Sequence, residues 1–558
     1  MSSQIRLVFL GGQDEADKQM IAVEIDGDIF VVEAGISYPD RTKHGIDYII
    51  PKYDYLLLNK DRVRAYILTS GNDQAIGAVP FMIDKIPAPI VCSDITRIFL
   101  YTFCEHNGIN PSSYQFKLVD PSDDIEIAGH QIRLFSLTSN NARSFGVSFT
   151  TDQGNIIITN NFVIDNNSTN GFLTDVSKMG AIANQPTLAL LCDASFAERE
   201  GYSNPSYKFV PRMKNEILDA SGRVFIALET PDVYNILETL KLCIKEGKKI
   251  VFYDENTFDL ISRLERCKLI DVPQNSILPV ENINRTRAQD IVVIMTGFGS
   301  RLLDKIVLLA SHQNDNKIIV LNETDTFIVG CHAKNDLETS FAEAIDEIYR
   351  ANAKVITFKK NEFITIHPSK EDIKSFISIF KPKYFFPVKA YLVSLLAAAK
   401  LAVEMGVGLN HNNVYILDNG LVVKGENGLC SISSEKVLTG NVMVDGNYIS
   451  QFSESLIQER QQFSDDGVVI LGAMISKSKH QIVGGPDIQS RGLVYAKDSE
   501  SLLRDIERLF VMCIDQELAK ENPSIKAMEE NAKDVIFKQI RRVIMKTPLI
   551  ICFIKEVD

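Results

Sequence analysis

The residues with most chemical capacity in this 558-residue chain sit in short polar loops at the ends of apolar runs. Tyr66-Ile67-Leu68 reads as a buried strand that ends in Thr69-Ser70-Gly71-Asn72-Asp73-Gln74. Ala75 then opens a helix expected to reach about Lys85, with Pro87 as its stop. Such a strand–loop–helix unit puts loop side chains at the carboxyl end of a sheet, where α/β proteins place chemistry. Ser70, Asn72 and Gln74 offer a hydroxyl and two amides, Asp73 one carboxylate, and Ala75 nothing. These groups suit hydrogen bonding within the loop; neutral hydroxyls and amides are poor zinc ligands. Histidine is sparse, at 44, 106, 130, 312, 332, 367, 411 and 480, so no local zinc motif exists. Nine cysteines are scattered without a Cys-x-x-Cys pair, which argues for a reducing cytoplasm and against a disulfide framework.

The elements around these loops follow from apolar patterning. Ile5–Leu10 is a strand running into Gly11-Gly12, and Asp26-Gly27 between Met20–Ile25 and Ile29–Glu33 is a type I′ hairpin signal. Asp94–His106 is a helix, Ile125–Phe135 a strand pair and Asn155–Thr159 a strand. From about Lys208, helices and apolar strands alternate: Arg212–Ala220, Val224–Leu228, Asp232–Glu246, Ile250–Phe252, Phe258–Cys267 and Asp290–Met295. Lys354–Phe358 returns to the first domain. Gly425–Val437 is Gly/Ser/Asn-rich and reads as a linker. Beyond it lie a strand at Gly467–Ile475, an amphipathic helix at Leu502–Leu518, a second helix over about Ser524–Met545 and a closing strand at Pro548–Ile554.

Composition bounds the rest. The apolar fraction of 45% is ordinary for globular domains, and the length calls for more than one of them. No window approaches ~18 uninterrupted apolar residues, so no membrane span is expected, and Met1–Arg6 has no signal-peptide pattern. A net charge of −13 excludes a simple nucleic-acid coat but leaves a local basic channel open. Lys538, Arg541, Arg542 and Lys546 of the last helix read as a solvated face.

Several stretches together resemble the ribonuclease J family. There the first loop reads Leu-Thr-His-Gly-His-Glu-Asp-His-Ile-Gly-Ala; here Leu68, Thr69, Gly71, Ile76, Gly77 and Ala78 keep that frame. Glu33-Ala34-Gly35, Tyr38-Pro39-Asp40 and Gly45-Ile46-Asp47-Tyr48-Ile49-Ile50-Pro51 match in register. So do Ser144 and Gly146, Asp193 in Cys192-Asp193-Ala194-Ser195, and Thr296-Gly297. Lys381-Pro382-Lys383-Tyr384-Phe385-Phe386-Pro387-Val388 and Gly485-Pro486-Asp487-Ile488-Gln489-Ser490-Arg491-Gly492 are close matches. Thr230-Pro231-Asp232-Val233-Tyr234 stands where the family carries Ala-Ser-Asn-x-His, with Pro231, Asp232 and Tyr234 replacing Ser, Asn and His.

The resemblance implies an α/β architecture: a metallo-β-lactamase αββα sandwich with an inserted β-CASP α/β domain and a small C-terminal α/β domain. The expected division is 1–207 and 357–425 for the sandwich, 208–356 for the insert, 426–446 for the linker and 447–558 for a C-terminal oligomerisation domain. The family is implied to degrade and mature RNA, ribosomal RNA included, with two zinc ions held by His and Asp. Those ligands fall on Ser70, Asn72, Gln74, Ala75, Ser139, Asn161 and Lys389, none of which is His or Asp. An ammonium ~4 Å from a dication, at an effective dielectric near ~20, is repelled by roughly 8 kcal/mol. No metal, no cofactor and no confident catalytic residue are therefore expected. The family's RNA-phosphate loop aligns with Phe363, Ile364, Thr365, Ile366, His367 and Ser369, where Phe363 has replaced a His and Ile366 and Pro368 have replaced glycines. Three readings follow. The first is a silent paralogue in the cytoplasm that partners an active ribonuclease J and self-associates through its C-terminal domain. The second is a 5′–3′ exo- and endoribonuclease of weak or altered activity. The third is an RNA-binding module without hydrolysis.

Overall fold

The computed structural model describes residues 2–39, 43, 45–165, 171–203, 209–315, 317–332, 337–359, 367–446, 448–450, 454–493 and 499–557. Two compact units are formed: 1–38 with 48–442, and 39–47 with 443–558.

The first unit is built on two stacked sheets. Ile5–Gly11, Met20–Ile25 and Asp28–Val32 form an antiparallel meander, and Val63–Ile67, Ile90–Cys92 and Phe116–Leu118 add in parallel beyond it. Asp26 and Gly27 both take positive φ, as a type I′ turn requires. The second sheet orders Tyr384–Val388, Thr187–Asp193, Asn155–Thr159, Ser144–Phe149, His130–Leu137 and Asp124–Ile127. Alternate residues of both sheets meet in one core, with Phe9, Val23, Phe30 and Ile67 facing Phe145, Phe149, Ile158, Leu191 and Phe386. The outer face of the second sheet packs Phe135, Ile157, Leu190 and Phe385 on three helices, Val176–Ala183, Lys370–Phe380 and Leu392–Glu404. The outer face of the first is buried as well, and the Tyr66 hydroxyl donates to Ile86 O 2.9 Å away. These four layers are the expected αββα sandwich.

The insert is a five-stranded, all-parallel sheet in the order Lys249–Phe252, Ile291–Gly297, Val224–Glu229, Thr326–Gly330 and Lys354–Ile356. Strands buried on both faces need unbroken apolar runs, which is what Val224–Leu228 and Ile291–Met295 supply. Lys354–Ile356 is thus the edge of this sheet and not the return to the sandwich. It pairs with Thr326–Gly330, and the sandwich resumes at Lys370–Phe380.

Two more expectations change. The stretch at 426–446 carries a strand, Leu429–Lys436, which pairs with Leu421–Glu426. Asn427 and Gly428 both have positive φ, so the Asn-Gly read as linker composition is a two-residue hairpin turn. The single helix from Ala75 is two short ones, Asp73–Ile76 and Val79–Met82, because Pro80 sits at the start of the second and ends any continuous ladder.

The second unit packs Val468–Ser476 between antiparallel Gln481–Arg491 and parallel Leu549–Glu556. One face of this sheet lies on the helices Ser499–Leu518 and Ile525–Ile544 through Leu471, Ile506, Phe510, Ile536 and Ile554. No helix among the described residues is long and apolar enough to cross a membrane.

Candidate functional site

Six strands deliver their carboxyl ends to one place. Glu33 follows Asp28–Val32, the loop Leu68–Asn72 follows Val63–Ile67, and Ser139 follows His130–Leu137. Asn161 follows Asn155–Thr159, Asp193 ends Thr187–Asp193, and Lys389 follows Tyr384–Val388. Parallel pairing forces the ends of the last three together. Glu33, Asn161 and Lys389 all adopt positive φ, a costly backbone for residues other than glycine, and it turns each side chain inward. Gly35 serves the same convergence: a Cβ there would lie 1.6 Å from Gln74 O.

Four of the seven aligned positions form one hydrogen-bonded chain. Asn72 Nδ2 and Asn161 Nδ2 both donate to Ser70 Oγ at 3.3 Å, and the Lys389 ammonium donates to Asn161 Oδ1. Asn72 also exchanges bonds with Asn140 at 3.2 and 3.3 Å, and Ser139 Oγ donates to Asn140 Oδ1 at 3.1 Å. Gln74 and Ala75 stand apart from this chain. Ala75 is buried and its carbonyl accepts from Ala34 N, while Gln74 Oε1 is buried without a hydrogen-bond partner. Asp73 turns to the Tyr38 hydroxyl, 2.6 Å away.

The charges beside this chain are deeply buried. Lys389 is 1% exposed and Asp193 0%. Burial pulls the Lys389 ammonium below its ordinary range, against the opposing pull of Asp193, Asp17 and Glu33. Burial likewise acts to raise Asp193, but His367, Lys389 and Ser195 outweigh it and hold that carboxyl below its usual range. His367 Nδ1 lies 2.9 Å from Asp193 Oδ2, and Ser195 N and Oγ donate to Oδ1 at 2.8 and 2.5 Å. Burial pushes the Glu33 carboxyl to about 7, even though Thr69 and Asn160 donate to it.

Of the predicted phosphate loop, Phe363, Ile364, Thr365 and Ile366 lie outside the described residues. Ser369 is engaged in structure: it caps Lys370–Phe380 in a capping box with Asp372. Asp372 accepts from Ser369 N, Ser203 N and Ile164 N at 2.9, 2.8 and 3.2 Å, and burial raises its carboxyl to about 6. The ring of His367 meets Phe196 edge-on at 5.2 Å.

The inserted domain closes on the same loops. Asn141 Nδ2 donates to Pro231 O at 3.0 Å, and Tyr234 N donates to Asn140 O at 3.1 Å. Pro231 and Tyr234, which replace family residues, thus supply backbone contacts to the network. Sequence reasoning did not single out Thr69, Asn140, Asn141, Asn160, Asp17 or Asp372 as members of this site. The doublets Asn140-Asn141 and Asn160-Asn161 at strand ends were the available signal.

Chemically, the arrangement offers hydroxyl and amide donors and acceptors, one buried ammonium and an Asp193–His367 pair able to hold a proton. No group of three or more His, Cys, Asp or Glu among the described residues is placed to hold a metal ion.

Comparison with known proteins agrees with this architecture. The family described as "Ribonuclease J, beta-CASP domain" matches residues 221–348, and "Ribonuclease J C-terminal domain" matches 455–557. Ribonuclease J 2 of Staphylococcus aureus (strain NCTC 8325 / PS 47) is 27% identical over 556 residues, which cover 100% of this chain and 99% of that protein. Ribonuclease J 2 of Staphylococcus epidermidis is 26% identical over the same extent. The crystal structure of a protein of unknown function from Enterococcus faecalis V583 covers 75% of this chain and 100% of its own, with TM-score 0.53 at 13% identity, a likeness of fold. Both family domains match, and the alignment to ribonuclease J 2 runs from end to end, so the chain is similar to the ribonuclease J family over its whole length.

Proposed function

We propose that this chain is a non-catalytic ribonuclease J family subunit of RNA degradation and maturation, acting in the cytoplasm beside an active ribonuclease J. One observation carries the reading. The positions aligned with the family's di-zinc ligands hold two hydroxyls, three amides, a methyl and the Lys389 ammonium, which donates to Asn161 Oδ1 inside the cluster. A di-zinc centre needs imidazole nitrogens and carboxylate oxygens, and two divalent ions beside a buried ammonium would repel it strongly. The donor set does not fit zinc. Under this reading the sandwich and insert keep a family shape for assembly, and the C-terminal unit contributes to association.

The test has two arms on the protein purified from its native cell. Zinc content and cleavage of a 5′-monophosphorylated RNA are measured on the isolated chain; little zinc and no chelator-sensitive cleavage are expected. Copurifying proteins are then identified, and a second ribonuclease J in equal amount is expected. Two tightly held zinc ions with chelator-sensitive cleavage would overturn the proposal. A second reading, weak ribonuclease activity without zinc, is favoured by one feature: the 2.9 Å Asp193–His367 contact, an orientation suited to proton transfer. Cleavage that survives chelation and is lost in His367→Gln would establish it.

A further inference from the structure

A crevice of about 340 Å³ lies between Asp94–His106 of the sandwich and Glu255–Arg266 of the insert. Its walls are two helical stripes. Arg97, Tyr101 and Glu105 recur at turn spacing on the first helix, and Asp259, Arg263 and Arg266 do so on the second. Arg263 already bridges the domains, with Nη2 3.0 and 3.1 Å from the Glu105 carboxylate and Nη1 3.3 Å from Thr102 Oγ1. The other two arginines are not committed. Among the described residues the Arg97 guanidinium makes no hydrogen bond or ion pair, and Arg266 makes only an Nε bond to Ser262 O at 3.2 Å. Planar guanidinium forks held open on facing helices match the geometry of a phosphate. The Tyr101 ring is braced by Phe116, ring centres 5.6 Å apart, and gives a flat lining beside them. The lining sets three arginines, Arg97, Arg263 and Arg266, against the carboxylates Glu105 and Asp259. His106 is held below its ordinary range by partial burial and by Arg301, Lys305 and Arg263, with Glu105 opposing.

We propose that this crevice binds a mononucleotide, with its phosphate held between Arg97 and Arg266 and its base against Tyr101. The volume suits one small ligand. A nucleic-acid strand fits poorly, because a track for successive phosphates needs continuous positive charge. Here Glu105 and Asp259 interrupt it. Occupancy would tie the two domains together at a point where Arg263 already joins them. The inference is independent of whether the chain hydrolyses RNA.

Calorimetric titration of the full chain with inorganic phosphate and with adenosine 5′-monophosphate tests it. Saturable binding of both is expected, tighter for the nucleotide and weakened by added salt. Arg97→Gln and Arg266→Gln should each weaken binding about tenfold or more. Arg287→Gln, at a residue whose side chain is 76% exposed, should leave it unchanged. Thermal melting of each variant establishes that it is folded. Three results would overturn the proposal: no binding at millimolar nucleotide, parental affinity in both crevice variants, or binding of a short single-stranded RNA that the mononucleotide does not displace.

Discussion

Replacing Lys389 by methionine keeps most of the side-chain volume and removes one buried positive charge. Its Nζ donates to Asn161 Oδ1, and it draws on Asp193, Asp17 and Glu33. At ~4 Å and an effective dielectric near ~20, each such attraction is about 4 kcal/mol before desolvation. Breaking a buried pair while leaving its partners in place costs about 3–5 kcal/mol. Two features lower that figure. Asp193 retains His367 and both Ser195 donors, and Glu33 can take up a proton because its carboxyl titrates near 7. The expected loss is therefore about 2–4 kcal/mol at pH 7, or roughly 2–4 °C in the melting temperature of a unit of this size. The loss should be smaller at pH 6, where Glu33 is protonated, and larger at pH 8. Differential scanning calorimetry of Lys389→Met across this range reads both the size and the trend. Adding Glu33→Gln should recover part of the loss at pH 8, since neighbouring charges couple. A melting temperature at pH 8 indistinguishable from the parent would refute the assignment of a compensating charge to Lys389.

Other outcomes follow from the same geometry. Glu33 ionises near 4.5 when unfolded and near 7 when folded, so the folded state holds an extra proton between these values. Its contribution to stability therefore falls as pH rises from 4.5 to 7, by an amount on the order of 3 kcal/mol. Glu33→Gln alone should flatten that slope in melting temperature against pH; an unaltered slope would remove Glu33 as its source. Arg223→Leu should destabilise the insert by about 3–5 kcal/mol, because Asp325 is 0% exposed and loses its partner at 2.5 Å. Denaturant titration with a reporter in the insert checks this, and a midpoint shift near zero would count against it. Gly35→Ala should cost more than about 3 kcal/mol, since the clash at 1.6 Å is with the backbone of Gln74 and no side-chain rotation relieves it. Soluble yield and melting temperature are the measures, and a parental melting temperature would contradict the close approach.

The large elements were legible because their patterns are local. Asp94–His106 was read to the residue, with Ser93 accepting from Thr96 N as its cap. Three of the insert's five parallel strands were read from unbroken apolar runs, and Thr326–Gly330 was not. Misreadings arose where one composition serves two conformations. Asn427-Gly428 has the makeup of a linker and the dihedrals of a hairpin. Lys354–Ile356 is short and amphipathic, and only its pairing with Thr326–Gly330 assigns it to the insert. The helix Glu454–Asp466 was missed because its sequence is polar around much of its circumference. Within the site, Ser70, Asn72, Ser139, Asn161 and Lys389 were located by a shared frame. The loop residues Asn140 and Asp17 and the amide of Asn160 were not, and no periodicity reports a contact between residues 33 and 160. The orientation of Asp73 toward Tyr38 was likewise beyond local pattern.

The first strand, Ile5–Gly11, is paired on one side by Leu421–Glu426, with Val8 opposite Val422. During synthesis that edge must wait for roughly 400 further residues, which at ~5–20 residues per second is on the order of 20–80 s on the ribosome. The inserted sheet emerges complete within that interval, so it can fold while the sandwich around it is still open. An apolar border exposed this long is a template for stray strands. For this chain, the hazard of misassembly therefore lies in the order of emergence from the ribosome rather than in the finished fold.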